Sequence, residues 1–102
     1  MKPIRHKFNA KRTEVDEKTF ASKKEANYYL ALKDKQRRGE ILFFLEQVPI
    51  RLPGGIKYIV DFIEFHCDDT VHFTDIKGMR TPVFILKKKL CEETYPFKIE
   101  EV

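Results

Sequence analysis

Three apolar segments in the middle of the chain restrict its fold more than any other feature of the sequence. The segments are ILFFLEQVPIRL (41–52), IKYIVDFIEF (56–65) and TVHFTDIKG (70–78), and all three are rich in β-branched and aromatic residues. Only PGG and HCDD, which contains the turn CDD, separate them. Because connections this short join antiparallel neighbours, the sequence predicts a three-stranded meander. Pro49 favours an edge position or a bulge for the first strand.

A helix is predicted before the meander, in SKKEANYYLALKDKQRRGE. Ser22 is a suitable N-cap, Glu25 three residues later completes a capping-box pattern, and Gly39 marks the end. The apolar arc of this helix is expected to contain Ala26, Tyr28, Tyr29, Leu30 and Leu32, with Glu25 inside it. The pattern therefore points a glutamate towards the sheet.

A second helix and a last short strand are predicted after the meander. In TPVFILKKKLCEETY, Thr81 can cap the helix and Pro82 suits its first turn. The spacing favours a buried stripe of Val83, Leu86, Leu90 and Thr94. The final FKIEEV alternates as a strand does. The expected order is αβββαβ, which indicates the α/β or α+β class with a mixed central sheet flanked by helices.

Length and composition fit a single domain over residues 1–102. The chain is 42% hydrophobic and 13% aromatic, which is enough for one core. No apolar run approaches the roughly 18 residues that span a bilayer. Cys67 and Cys91 lack a metal-binding or redox spacing, and the first residues lack the apolar run of a secretory signal. We therefore expect no membrane association and a reduced, cytoplasmic setting.

Charge is distributed unevenly along the chain. Residues 1–51 contain 13 Lys and Arg against 7 Asp and Glu, whereas residues 52–102 contain 7 against 9. Residues 1–12 contain five basic residues and no acid, which is typical of a basic, flexible N-terminal arm. This asymmetry is compatible with ordinary solubility, and it also favours a polyanionic partner such as nucleic acid.

Two acids and a lysine interrupt the apolar strands. Strand alternation places Asp75 and Lys77 on one face, and the short connection between strands brings Asp61 beside Asp75. Such charges on a covered sheet are costly unless they are paired or neutralised by a metal ion. Carboxylate and carbonyl oxygens suit Mg²⁺ or Mn²⁺, and Glu25 can complete the acidic group.

This arrangement resembles the PD-(D/E)xK nuclease superfamily, which has the restriction-endonuclease-like fold. The residues that carry the resemblance are Asp61 in YIVDF, Asp75 and Lys77 in TDIKG, and Glu25 in SKKEANYYL. The wider pattern is similar to a group of small bacteriophage-encoded nucleases. The resemblance implies that the acids and the Ile76 carbonyl bind the metal and that the lysine orients or activates water. Val60 stands where the superfamily prefers proline, and Asp75 where it prefers glutamate.

Each of these residues also has a structural alternative. Glu25 can act only as a capping-box residue, Asp61 can pair with Lys57 or Lys77, and Asp75 and Lys77 can form a surface pair. Gln47, or Glu46 beside it, can line the site or face solvent. The remaining candidates are basic residues that can contact phosphates or simply solvate helices: Lys23, Lys24, Arg80, Lys88 and Lys89.

Together the residues and the resemblance predict a Mg²⁺- or Mn²⁺-dependent endonuclease acting on DNA, nonspecific or selective for structure in the manner of Holliday-junction resolvases. DNA is the expected partner, with duplex, single-stranded and branched forms all left open, and a homodimer is compatible with the prediction because two copies most simply cut two strands. A non-catalytic nucleic-acid-binding module on a nuclease-like fold is the main alternative. An interaction protein that needs neither metal nor lysine is the third interpretation.

Overall fold

The computed structural model describes residues 12–76 and 80–102. The protein has a mixed α+β architecture of six strands and two helices in these ranges. The elements are β1 (Thr13–Val15), β2 (Lys18–Phe20), α1 (Lys23–Arg37), β3 (Ile41–Leu52), β4 (Ile56–His66), β5 (Val71–Asp75), α2 (Pro82–Thr94) and β6 (Ile99–Glu101). None of the helices in the described ranges is long and apolar enough to cross a membrane.

The central sheet is mixed, with strand order β3-β4-β5-β6. The first three strands pair antiparallel, which confirms the meander, and a single 3-10 turn at Pro53–Gly55 links the first two. The last strand pairs parallel with β5, since α2 carries the chain back along the sheet. In the described part of the chain β3 is an edge strand, as Pro49 favoured.

The N-terminal β1–β2 hairpin could not be assigned from the sequence, because TEVDEKTF is short and has no clear alternation. Its two-residue turn consists of Asp16 and Glu17, both at positive φ (52° and 64°), as in a type I′ turn. The hydroxyl of Tyr29 in α1 donates a hydrogen bond to Asp16 Oδ2 at 3.1 Å. The hairpin is therefore anchored to the helix that carries Glu25.

The hydrophobic core has two clusters, one under each helix, and β3 passes from the first cluster to the second along its length. In β3, Phe44 packs against the α1 cluster and Val48 against the α2 cluster. In β4, Phe62 belongs to the first cluster, while Val60 before it and Ile63 after it belong to the second. The change falls at Gln47, whose φ is +50° within an otherwise extended strand. The middle of β3 therefore contributes side chains to the cores under both helices.

The buried stripe predicted for α2 is wrong at Val83, Leu86 and Thr94, whereas Leu90 is partly buried and packs against the core. Val83 and Leu86 are 61% and 65% exposed, whereas Phe84 and Cys91 are buried. The first half of this helix is apolar all round, so periodicity alone could not select the face. Packing of Phe84 on Tyr58, with ring centroids 6.2 Å apart, selects it instead. Burial also raises the pKa of the Cys91 thiol.

The face of α1 follows the prediction more closely. Ala26, Tyr29 and Leu32 are buried, and so is Glu25, but Leu30 is 45% exposed. Ser22 caps the helix by accepting a hydrogen bond from the Glu25 N–H at 3.1 Å. The inward orientation of Glu25 is thereby fixed by the helix start itself.

Candidate functional site

Asp61 and Asp75 lie side by side in neighbouring strands, as the meander predicts. Asp61 is in β4, and its N–H donates to Asp75 Oδ1 at 3.0 Å. The N–H of Ile76, directly after β5, donates to Asp61 Oδ2 at 2.9 Å. Each carboxylate therefore accepts from the main chain of the other's strand, and the two acids are held in one rigid unit.

Gln47 connects this pair of acids to the glutamate of α1. Its Nε2 donates to Glu25 Oε1 at 3.1 Å and to Asp61 Oδ1 at 3.1 Å. A primary amide has two N–H donors, and here both are used on carboxylates. The strand register places Gln47 opposite Asp61, between the pairs on either side of it. Three elements thus meet in one hydrogen-bonded series.

Asp75 is the most enclosed of the three acids, with no exposed surface. The Tyr58 hydroxyl donates to its Oδ2, while Oδ1 accepts from the main chain of Asp61. A buried carboxylate is costly unless such donors replace its hydration. Donors from β4 therefore replace the hydration of the Asp75 carboxylate.

Glu25 accepts hydrogen bonds both from the start of its own helix and from Gln47 of the candidate site. Its side chain is 5% exposed, and Oε2 accepts from the Ala21 N–H at 3.2 Å while Oε1 accepts from Gln47. One oxygen thus satisfies the chain at the helix start, as a capping residue does. The other faces the acids of the sheet.

The backbone of Gln47 is strained, since a non-glycine residue at φ +50° costs about 1–2 kcal/mol. Replacing Gln47 by Gly or by Ala removes the amide in both cases, but only Gly relieves the backbone. We expect Gln47→Gly to be more stable than Gln47→Ala by about 1 kcal/mol in urea unfolding, reversing the usual order of these residues in strands.

Arg51 provides the control for this comparison, since it is exposed on the same strand and has no positive φ. Arg51→Ala should be at least as stable as Arg51→Gly. Equal stability of the two Gln47 variants would show that the left-handed backbone is not imposed by the fold.

The donor chemistry of this group fits a hard divalent cation. Two carboxylates, a third within one amide's reach, and the neighbouring main-chain carbonyl of Ile76 are all oxygen ligands. Within residues 12–76 and 80–102, however, no three His, Cys, Asp or Glu side chains are grouped closely enough to hold an ion together. Gln47 separates Glu25 from Asp61. Lys77, predicted as the lysine of the site, lies outside the described residues.

Comparison with known proteins places the chain in a family. Residues 5–100 match the family model described as "Protein of unknown function (DUF1064)". The chain belongs to the DUF1064 family. No curated protein and no solved structure gives a significant match. The matched range includes the hairpin and all three acids, so the site is part of the DUF1064 domain itself.

The basic residues predicted to contact nucleic acid lie on α1, on α2 or just before α2 in this DUF1064 protein. Lys23 and Lys24 are exposed in the first turn of α1, and Lys89 is exposed on α2. Arg80 Nε and Lys88 Nζ instead donate to Glu101, at 2.8 Å and 2.6 Å. Of these five cations, Arg80 is both exposed and ion-paired, whereas Lys88 is ion-paired and only partly exposed.

Glu101 was not identified from the sequence. It pairs with Asp75 in the β5–β6 register, next to the acids. The hydrogen bond from Lys88, with a further contribution from Arg80, lowers the pKa of Glu101, while burial opposes the shift. Alternation in FKIEEV identified the strand, but the ion pairs depend on how α2 folds back over it.

Sequence reasoning also missed a buried glutamate in the DUF1064 fold. Glu64 is 3% exposed and accepts hydrogen bonds from Tyr28 at 2.5 Å and Thr74 at 2.8 Å, with His66 at 2.9 Å. Burial, together with the bond to Glu64, raises the pKa of Tyr28. Tyr28 was expected in the apolar arc, and its hydroxyl gives it this polar contact. The cluster explains how the sheet accommodates an acid away from the candidate site.

Proposed function

We propose that this DUF1064 protein is a Mg²⁺- or Mn²⁺-dependent deoxyribonuclease that hydrolyses phosphodiester bonds. The observation that carries the proposal is the hydrogen-bonded series Glu25–Gln47–Asp61–Asp75, which gathers acids from α1, β4 and β5. Its last member is followed at a spacing of two by Lys77. The resemblance to the PD-(D/E)xK superfamily, with its restriction-endonuclease-like core, supports the same assignment.

The chain's residues would divide the work as follows. Asp61, Asp75 and the Ile76 carbonyl would hold the cation, with Glu25 completing the acidic side. A divalent ion bound there lowers the pKa of a coordinated water and stabilises charge on the phosphate. Lys77 would orient the attacking water in line with the leaving oxygen.

Gln47 would stabilise the acids of the site in the protein without a bound cation. Two carboxylates facing each other without a counter-charge disfavour one another's ionised form. The amide of Gln47 donates one N–H to each, at 3.1 Å, which offsets part of that repulsion. A bound cation would offset the same repulsion, so Gln47 would keep the acids together in the ion-free protein.

A non-catalytic nucleic-acid-binding module is the second candidate. The described carboxylates of Asp61 and Asp75 already accept from protein donors on both of their oxygens. A purely structural polar cluster would have the same property. In this interpretation exposed lysines such as Lys23, Lys24 and Lys89 would bind phosphates without cleavage. DNA is the proposed partner in both cases, and a homodimer is proposed only for the nuclease.

Cleavage assays distinguish the two candidates. Plasmid and branched DNA are incubated with Mg²⁺, with Mn²⁺ or with EDTA, using the wild type, Lys77→Ala and Lys57→Ala. Lys57 is exposed in β4 and serves as the charge-matched control. We expect metal-dependent cutting that Lys77→Ala slows by at least about a hundredfold, with Lys57→Ala close to wild type. Binding without cutting would favour the module.

A further inference from the structure

A cavity of about 400 Å³ adjoins the candidate site. It lies between the β1–β2 hairpin, the start of α1 and the middle of β3. Its lining includes Lys18, Phe20, Ala21, Glu25, Glu46 and Gln47. The volume lies within the roughly 300–1,000 Å³ of small-molecule sites. We propose that this cavity receives a single unpaired nucleobase of the DNA next to the bond that is cut, an inference that rests on the proposed nuclease function.

Position is the first argument for the proposal. Glu25 and Gln47 are both part of the cavity wall and members of the series that ends at Asp75. A nucleotide whose base entered the cavity would therefore have its phosphate near Asp61. The cavity and the acids share side chains, so occupancy of one restrains the other.

The lining is the second argument. Phe20 and Phe62 provide apolar surface in the cavity wall. Gln47, Glu46 and Lys18 together offer both hydrogen-bond donors and acceptors. The carboxylate of Glu25, which accepts hydrogen bonds from Gln47 and the main chain, disfavours a phosphate in the interior. A neutral heterocycle with donor and acceptor groups on its edge suits this mixture, as in enzymes that read an extruded base.

Charge near the opening is the third argument. Lys18 is 48% exposed, its Nζ lies 2.5 Å from Glu46 Oε2, and it sits 5.0 Å from the centroid of the Tyr29 ring. The hydrogen bond to Glu46 raises the pKa of Lys18, so its ammonium group remains charged at neutral pH. A fixed, partly exposed cation beside a base-sized cavity is suited to the phosphate that adjoins the base.

The substrate class follows from these features. A paired base cannot enter the cavity without leaving its duplex stack, which costs a few kcal/mol. Bases in overhangs, flaps and branch points are already unpaired. The protein should therefore prefer DNA with unpaired nucleotides over blunt duplex.

Binding in EDTA tests the cavity independently of cleavage. Fluorescence anisotropy compares a blunt duplex, the same duplex with a short single-stranded overhang, and that overhang with abasic sites. The variants are Ala21→Trp, which fills the cavity, and Asn27→Trp, which adds the same side chain at an exposed site on α1 outside it. Thr19→Trp is a second filling variant from the hairpin, exposed and suited to a large side chain.

We expect the wild type and Asn27→Trp to bind the overhang roughly tenfold more tightly than the blunt duplex, the scale of one stacked base. The preference should disappear in both filling variants and with the abasic overhang. An equal preference in the wild type and in folded Ala21→Trp and Thr19→Trp would overturn the proposal. If the filling variants lose the preference but the wild type cleaves no substrate, the base site stands and the proposed hydrolysis is refuted. If the wild type cleaves DNA but the filling variants keep the preference, the hydrolysis stands and the base site is refuted.

Discussion

Asp75→Asn is expected to reduce metal-dependent DNA cleavage by at least about a hundredfold, the upper end for residues that only support a metal ligand. Asparagine is isosteric; its amide oxygen can still accept from the Asp61 N–H, 3.0 Å from Asp75 Oδ1, and its NH2 group can donate to the Tyr58 hydroxyl, which donates to Oδ2 in the wild type. The substitution therefore removes the charge and leaves the packing of a residue with no exposed surface. The measurement is the initial rate of plasmid nicking in Mg²⁺ and in Mn²⁺.

Asp69→Asn is the matched control for this change. Asp69 is exposed in the turn between β4 and β5 and has φ +69°, a conformation that asparagine tolerates as well as aspartate does. The Asp69→Asn protein should nick plasmid DNA at the wild-type rate. Thermal melts of both variants verify folding, and a folded Asp75→Asn protein with full activity would refute the assignment of Asp75.

Phe62→Ala is expected to have the largest effect on stability, a loss of about 3–5 kcal/mol in the free energy of unfolding. Phe62 is 1% exposed and its ring lies 5.4 Å from that of Tyr28 and 6.0 Å from that of Phe44, measured between centroids. Truncation leaves a cavity at the joint between α1 and the sheet, directly beside Asp61. Urea unfolding followed by circular dichroism measures the change.

Phe43→Ala is the comparison for Phe62→Ala, because it is the same substitution in the neighbouring strand. Phe43 is 46% exposed, although its ring stacks on Phe65 with centroids 4.3 Å apart. Its loss should cost about 1 kcal/mol, in the range of one aromatic pair. Equal costs for the two substitutions would mean that the core is not centred under α1 as described.

The framework of the fold could be predicted because local signals agreed with each other. The segment 41–52 is a strand over its whole predicted length, and Ser22 and Thr81 cap the helices that follow them. Short turns left the meander few alternatives. The adjacency of Asp61 and Asp75 followed from this topology alone, since β4 and β5 had to be neighbours.

Other features depend on contacts that no local pattern records. Gln47 was only one of two candidates to line the site, because its bridging role requires both the register of β3 and the capping geometry of Glu25. The buried face of α2 was mispredicted because Val83 and Phe84 are both apolar, and the packing of Phe84 on Tyr58 distinguishes them. The ion pairs of Glu101 could not be predicted because they form only when α2 packs beside β6. The positions of the acids could therefore be predicted from the sequence, whereas the residues that hydrogen-bond to them could not.

Titration of the ion-free protein with Mn²⁺, followed by calorimetry, tests the central claim most directly. It asks whether the acids of the sheet form a cation site, with no dependence on substrate or turnover. We expect saturable binding by the wild type and by Asp69→Asn, and at least about a tenfold weaker affinity for Asp75→Asn. Identical binding by all three folded proteins, or no binding by the wild type, would contradict the claim that Asp61 and Asp75 hold a metal ion.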